Sequence, residues 1–238
     1  MLHNVNLSFS SLKYANLNYA LLQSIIFNYA NLYCANLEGA FLRNAQFVNA
    51  NLNSANFNNA NLKKTDFTDA NLICSQLSRA NFSSSKLTRA NLSNANLTCA
   101  NLNYADLSYT NLVGTDFTNA ILIGANLQYA NLSNTKFLYA NLTNANLSNT
   151  KINNANFNYS ILKRSNFTDA IFNNTNIKHA NFKNSHIART YFDKHSISNL
   201  TANEIIQLTK NIANKNININ LKSKQNIIKK AISILNLI

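Results

Sequence analysis

The sequence predicts an all-β solenoid closed by a helical C-terminal segment, and three observations carry that prediction. Every position numbered with a final 2 or 7 from Leu7 to Ile197 is Leu, Ile or Phe, which makes 39 consecutive sites five residues apart. Among 238 residues there are three glycines and no proline, where ordinary usage of glycine alone is about 7%. So few chain breakers exclude a loop-rich enzyme with an irregular active-site architecture. From Asn199 onward the five-residue pattern gives way to helical spacing.

The repeat itself comes first. At positions ending in 0 or 5 within that span, two residues before a central Leu, Ile or Phe, stands Ala, Ser or Thr, with Ile25 and His195 as exceptions, and the residue between the two is usually Asn. A period of five matches neither the 3.6 of a helix nor the 2 of an alternating strand. It requires a unit that turns inward twice per five residues and then bends. The motif, seen in Ala50-Asn51-Leu52 and Ala95-Asn96-Leu97, resembles the pentapeptide-repeat family over about four-fifths of the chain. The resemblance implies a right-handed quadrilateral β-helix, with four pentapeptides per square coil. The small and the central residue then point inward and the other three outward. At about 4.8 Å per coil, about ten coils span about 43 Å between the first and last layers. Residues 1–198 are the expected β-helix domain and 199–238 a helical cap or interaction tail.

In that geometry residues twenty apart share a column. Phe27, Phe47 and Phe67 are expected to stack inside, as are Phe117, Phe137 and Phe157; Tyr109 with Tyr129 and Tyr139 with Tyr159 stack outside. Asn31, Asn51, Asn71, Asn91, Asn111 and Asn131 form a ladder whose amides can bond along the axis. Gly39, Gly114 and Gly124 all fall two after a central residue, where a corner favours a permissive backbone.

The tail follows. Thr201 with Glu204 reads as a capping box ahead of Ile205, Leu208 and Ile212 on one helical side. Beyond a polar stretch, Ile227, Ala231, Ile234, Leu235 and Ile238 recur at helical spacing. A solenoid leaves a raw apolar end that must be covered, and the tail is expected to cover it. The family resemblance implies a C-terminal homodimer contact as a second use.

Chemistry of reaction is not visible. Cys34, Cys74 and Cys99 fall at outward corners with no CxxC. Cys34 and Cys74, two coils apart, are separated by about 9.6 Å, too far for a disulfide. His179, His186 and His195 have no carboxylate or thiol at ligand spacing, so no metal or other cofactor is expected. Asp66 and Asp69 flank a convex face without a desolvated concavity to tune them. No phosphate loop or nucleophile elbow occurs, and the chain reads as non-enzymatic. Met1 to Ser10 lacks the basic and apolar regions of a secretory signal, and no run approaches the roughly 20 apolar residues of a membrane span. Cytoplasm, or an organellar stroma or matrix, is the expected compartment.

What remains is surface. Lys and Arg number 21 against 8 Asp and Glu, a formal charge of +13. Of the four faces, the one formed by residues 20–24, 40–44 and so on to 180–184 carries Arg43, Lys63, Lys64, Lys163, Arg164 and Lys183 and no acid. Leu21, Phe41, Ile121 and Ile161 replace the usual Asn there, and Tyr104 and Ile123 add apolar surface. Exposed apolar groups flanked by polar ones mark contact sites, so these twelve residues are the candidate site for docking an acidic protein or protein complex. The alternative is nucleic acid or an anionic membrane, bound by this face together with Lys222, Lys224, Lys229 and Lys230 of the tail. Against nucleic acid, Tyr104 alone on this face is near a base-stacking role. Some pentapeptide-repeat proteins protect DNA gyrase by imitating DNA with an acidic rod. The repeat here holds 15 basic and 7 acidic residues, the wrong sign for that role.

Overall fold

The computed structural model describes residues 4–198, 200–213 and 225. Parallel bridges pair residues twenty apart along the repeat, from Asn6 with Ile26 to Asn166 with His186. Near the C-terminal end they lengthen into strands β1 (Lys151–Asn153), β2 (Ile171–Asn173) and β3 (Tyr191–Phe192), paired in that order with Ile152, Phe172 and Phe192 in register. Four five-residue steps therefore make one coil, and each coil lies on the next. The repeat centred on Leu52 shows how. Leu52 and Ser54 donate their N–H groups forward to Asn71 O and Ile73 O at 2.7 and 2.8 Å, while Asn51 donates back to Ala30 O at 3.0 Å.

Between repeats the chain turns. Ala50 N–H donates to Phe47 O at 3.0 Å and Asn49 has φ +57°, the arrangement of a type II turn. Left-handed backbone recurs at this corner from Asn4 to Arg189, in tyrosines, cysteines and arginines as well as asparagines. A side chain there costs roughly 1–2 kcal/mol, offset by the ladder and turn bonds that fix the corner. Glycine at two corners has a further reason. A Cβ on Gly39 would meet the Tyr19 ring at 2.5 Å, and one on Gly124 the Tyr104 ring at 2.7 Å; a ring one coil earlier leans over each.

Inside, the columns are as the twenty-residue rule requires. Phe27–Phe47–Phe67 stack at 5.2 and 4.8 Å between centroids, and Phe117–Phe137–Phe157 at 5.0 and 4.6 Å. The small inward position accepts Ser and Thr because their hydroxyls find a partner. Thr65 Oγ1 donates to Leu62 O at 2.5 Å and Ser75 Oγ to Leu72 O at 2.7 Å, and among the described residues no buried hydroxyl is stranded.

The Asn ladder differs from expectation. Of the column from Asn31 to Asn131, the amides join along the axis only at Asn51 Nδ2 to Asn31 Oδ1, 3.3 Å. Instead each side-chain oxygen accepts the N–H two residues on, as Asn51 does from Asn53 at 3.2 Å and Asn91 from Ser93 at 3.1 Å. The reason is local. In the column from Asn31 to Asn131 the residue after the central one points its N–H outward, where no carbonyl of a neighbouring coil reaches it, unlike Asp193 N–H, which donates to Phe172 O at 3.1 Å. An Asn or Asp two residues earlier closes an Asx turn onto it; Asp66, Asp106 and Asp116 do the same for Thr68, Ser108 and Thr118.

At the C-terminal end the pentapeptide register continues to Ile197, but its last step is helix α1 (Lys194–Ser198), followed by α2 (Ala202–Ala213). Ile197 stays buried, and Leu200, Ile205 and Leu208 join the same core as Ile187 and Phe192. Two carboxylates replace carbonyls that a further coil would supply. Asp193 Oδ2 accepts Asn174 N–H at 2.9 Å while its Oδ1 accepts Ser196 N–H at 2.7 Å at the start of α1. Glu204 Oε1 accepts His179 N–H at 2.5 Å, and its Oε2 accepts Thr201 N–H and Oγ1–H at 2.6 and 2.8 Å. The capping box expected from Thr201 and Glu204 is thus formed. Ile227, Ala231, Ile234, Leu235, Ile238 and the four lysines of the tail lie outside the described residues.

Both carboxyls are held below their ordinary range. Burial pushes Asp193 up, but the Ser196 hydroxyl and the Asn174 and Ser196 N–H groups, with His195, outweigh it. For Glu204, burial is outweighed by the N–H and hydroxyl of Thr201 and by His179. A carboxyl with a lowered folded pKa adds stability above its unfolded value, about 4, and that stability is lost as pH falls through the folded value. Acidification from pH 6 to below 4 is therefore expected to loosen α1 and α2 while the coils persist. Hydrogen exchange normalised to intrinsic rates checks this; equal loss of protection in helices and mid-rod coils would contradict it.

Candidate docking face

All twelve residues singled out from the sequence fall on the single face of residues 20–24 to 180–184, and all but the half-buried Ile123 are exposed. Leu21, Phe41, Ile121 and Ile161 are 43%, 43%, 40% and 36% exposed at positions where Asn is usual. Leu21 bridges directly to Phe41. Ile171, 42% exposed, is the comparable replacement on a different face.

An apolar residue in the Asn slot exposes hydrocarbon and also forfeits the Asx acceptor. With Phe41 and Ile161 in place, the N–H groups of Arg43 and Lys163 have no acceptor among the described residues. At Ile121 the loss is covered from the coil before, where Asn103 Oδ1 accepts Ile123 N–H at 3.0 Å. Each forfeited bond is worth about 0.5–1.5 kcal/mol.

On the other faces four of the nine basic residues of the repeat pair along columns. Arg89 grips Asp69 with two bonds, Nε to Oδ1 at 2.7 Å and Nη2 to Oδ2 at 2.6 Å, and Arg189 grips Asp169 likewise. Lys136 lies 3.4 Å from Asp116 and Lys86 3.9 Å from Asp66. Hydrogen bonds from Arg89 and Arg189 hold Asp69 and Asp169 below the ordinary carboxylate range. By contrast Arg43, Lys63, Lys64, Lys163, Arg164 and Lys183 form no ion pair among the described residues.

Two features escaped the sequence reading. An open groove of about 480 Å³ runs along one corner of the face, lined by Lys64, Asp66, Ser84 and Lys86 among others. Asp66 thus borders a concavity, though its oxygens are already engaged by Thr68 and Lys86. At the corner leading into the face from the other side, Tyr139, Tyr159 and His179 stack at 5.1 and 4.7 Å. The Tyr139–Tyr159 pair follows from the twenty-residue rule, but a corner side chain borders two faces, and the rule assigned it to one. Among the described residues no three of His, Cys, Asp or Glu gather to hold a metal, and no helix is long and apolar enough to cross a membrane.

Solved structures similar to this chain include HetL, a pentapeptide-repeat protein involved in heterocyst differentiation regulation from the cyanobacterium Nostoc sp. strain PCC 7120. It is 28% identical over 79% of this chain and 85% of its own, with a TM-score of 0.48. Full-length QnrB1, a plasmid-mediated fluoroquinolone resistance protein, is 15% identical over 81% of this chain and 97% of its own, also at 0.48. A search of curated protein sequences finds no match. The family model for pentapeptide repeats matches in eight copies over residues 6–137 and 140–187, and with coils of four pentapeptides each, this chain belongs to the pentapeptide-repeat family, whose members form right-handed β-helices.

Proposed function

We propose that the protein is a non-enzymatic scaffold, a rod of about ten coils capped by α1 and α2, that docks an acidic protein partner along its basic face. One observation carries the reading. On the other faces Lys86, Arg89, Lys136 and Arg189 each pair with an acid one coil away, whereas none of the six on this face, which stand beside exposed apolar side chains, has an ion pair among the described residues. Uncompensated charge steers acidic partners, and exposed hydrocarbon provides the contact that charge alone does not.

Reversing Lys63, Lys163 and Lys183 to Glu is expected to leave the fold intact, because all three are exposed and form no ion pair among the described residues. Capture of the partner in a native pull-down should be abolished, since opposed like charges cost several kcal/mol. The control reverses Lys13, Arg79 and Lys178, exposed residues of other faces that form no ion pair among the described residues; Lys136 is unsuitable because it pairs with Asp116. Equal loss in both variants, with steep salt dependence, identifies nucleic acid or an anionic membrane instead. No loss in either removes the docking face.

A further inference from the structure

The basic residues of the face are not spread evenly. Phe41, Arg43 and Lys63 form one group, and Ile161, Lys163 and Lys183 another, each member 120 residues from its counterpart. At twenty residues per coil that is six coils, about 29 Å. The groups share a grammar: an exposed apolar residue in the Asn slot, an outward backbone N–H left without an acceptor beside it, and two cations stacked on successive coils. Lys64 and Arg164 add a corner cation to each. Between the groups, residues 81–84, 101–104, 121–124 and 141–144 hold no charge, and the middle of the face is occupied by Tyr104, Ile121 and Ile123.

The geometry points to a two-site dock for one acidic amphipathic α-helix lying along the rod, with carboxylate clusters at both ends and an apolar middle. This rests on the docking face proposed above and specifies its occupant. A carboxylate suits each group because it accepts from the bare N–H and from two cations at once. A sheet face with an apolar centre is covered naturally by a helix. Five helical turns, about 18 residues, cover about 27 Å and return the second cluster to the same side. Nucleic acid fits less well, since duplex DNA presents a charge about every 1.7 Å and calls for a continuous cationic stripe, where this face leaves its middle neutral and apolar.

The test uses fluorescein-labelled, Ala- and Gln-rich helical peptides carrying two Glu-Leu-Glu-Glu clusters about 18 or about 14 residues apart, five or four turns. Anisotropy titrations with the full chain are expected to favour the five-turn peptide by roughly fivefold, because only matched spacing lets both ends bind together. Removing residues 91–110 deletes one coil between the groups, joins Ala90 to Asn111 in register and leaves every ion pair given above in place. Solenoids tolerate such excisions because each coil contacts only its neighbours. That variant should favour the four-turn peptide. If it fails to fold, a series of spacings on the wild type should peak at five turns, and a flat profile overturns the proposal. Identical ranking by both proteins, with binding lost on reversal of Lys63, Lys163 and Lys183, sinks the two-site spacing and leaves the docking face standing. Peptide binding that survives the reversal sinks the face as well. A 20-base-pair duplex that displaces either peptide at equal concentration replaces the helix with nucleic acid.

Discussion

Leu92→Asp should unfold the middle of the rod, while Asn91→Asp, one residue away and with the same added charge, should melt within about 0.5 kcal/mol of the wild type. Leu92 is fully buried between coils. Truncating such a leucine alone costs about 2–5 kcal/mol, and a carboxylate in a dry axis adds several more. The sum rivals the 5–15 kcal/mol stability of an ordinary domain. Asn91 faces outward and its side-chain oxygen accepts Ser93 N–H at 3.1 Å and Ser93 Oγ–H at 2.7 Å. A carboxylate serves equally there, because Asp66 accepts the same two bonds from Thr68 at 2.9 and 2.6 Å. The column neighbours Asn71 and Asn111 bring no like charge. Urea denaturation followed by circular dichroism decides; two variants melting alike would mean the inward register is misassigned.

Deletion of residues 199–238 is the second large effect. It removes Leu200, Ile205 and Leu208, which are buried in one core with Ile187 and Phe192, and it removes Glu204, the acceptor of His179 N–H. A raw apolar layer and unpaired strand edges should then drive end-to-end association. Sedimentation velocity at rising concentration should show oligomers growing at the expense of monomer. A truncated chain that sediments as a monomer at every concentration would show that α2 serves recognition and not closure.

A five-residue period is legible without coordinates because it repeats the same neighbour relation 39 times. Once four repeats close a coil, every residue's column follows by counting. The phenylalanine stacks, the inward alanines and the placement of the twelve candidate residues on one face all come from that count. The twist of the corner into left-handed backbone was partly legible through three glycines. That tyrosine, cysteine and arginine share the conformation was not, because side-chain identity at a corner is constrained by the coil before it and not by the local pattern.

Sequence by itself determined the architecture of this protein, the faces of the rod and the one face that is basic and free of acids, since periodicity and charge are properties of the string. Tertiary structure decided which acceptor each outward N–H finds. Asn serves its own repeat throughout the column from Asn31 to Asn131, and its amide reaches the next coil only between Asn51 and Asn31. It also decided how the rod stops. Asp193 and Glu204 supply oxygens where the next coil's carbonyls would have stood, and that depends on helices folding back over the last layer, a relation between segments that no spacing within the repeat contains.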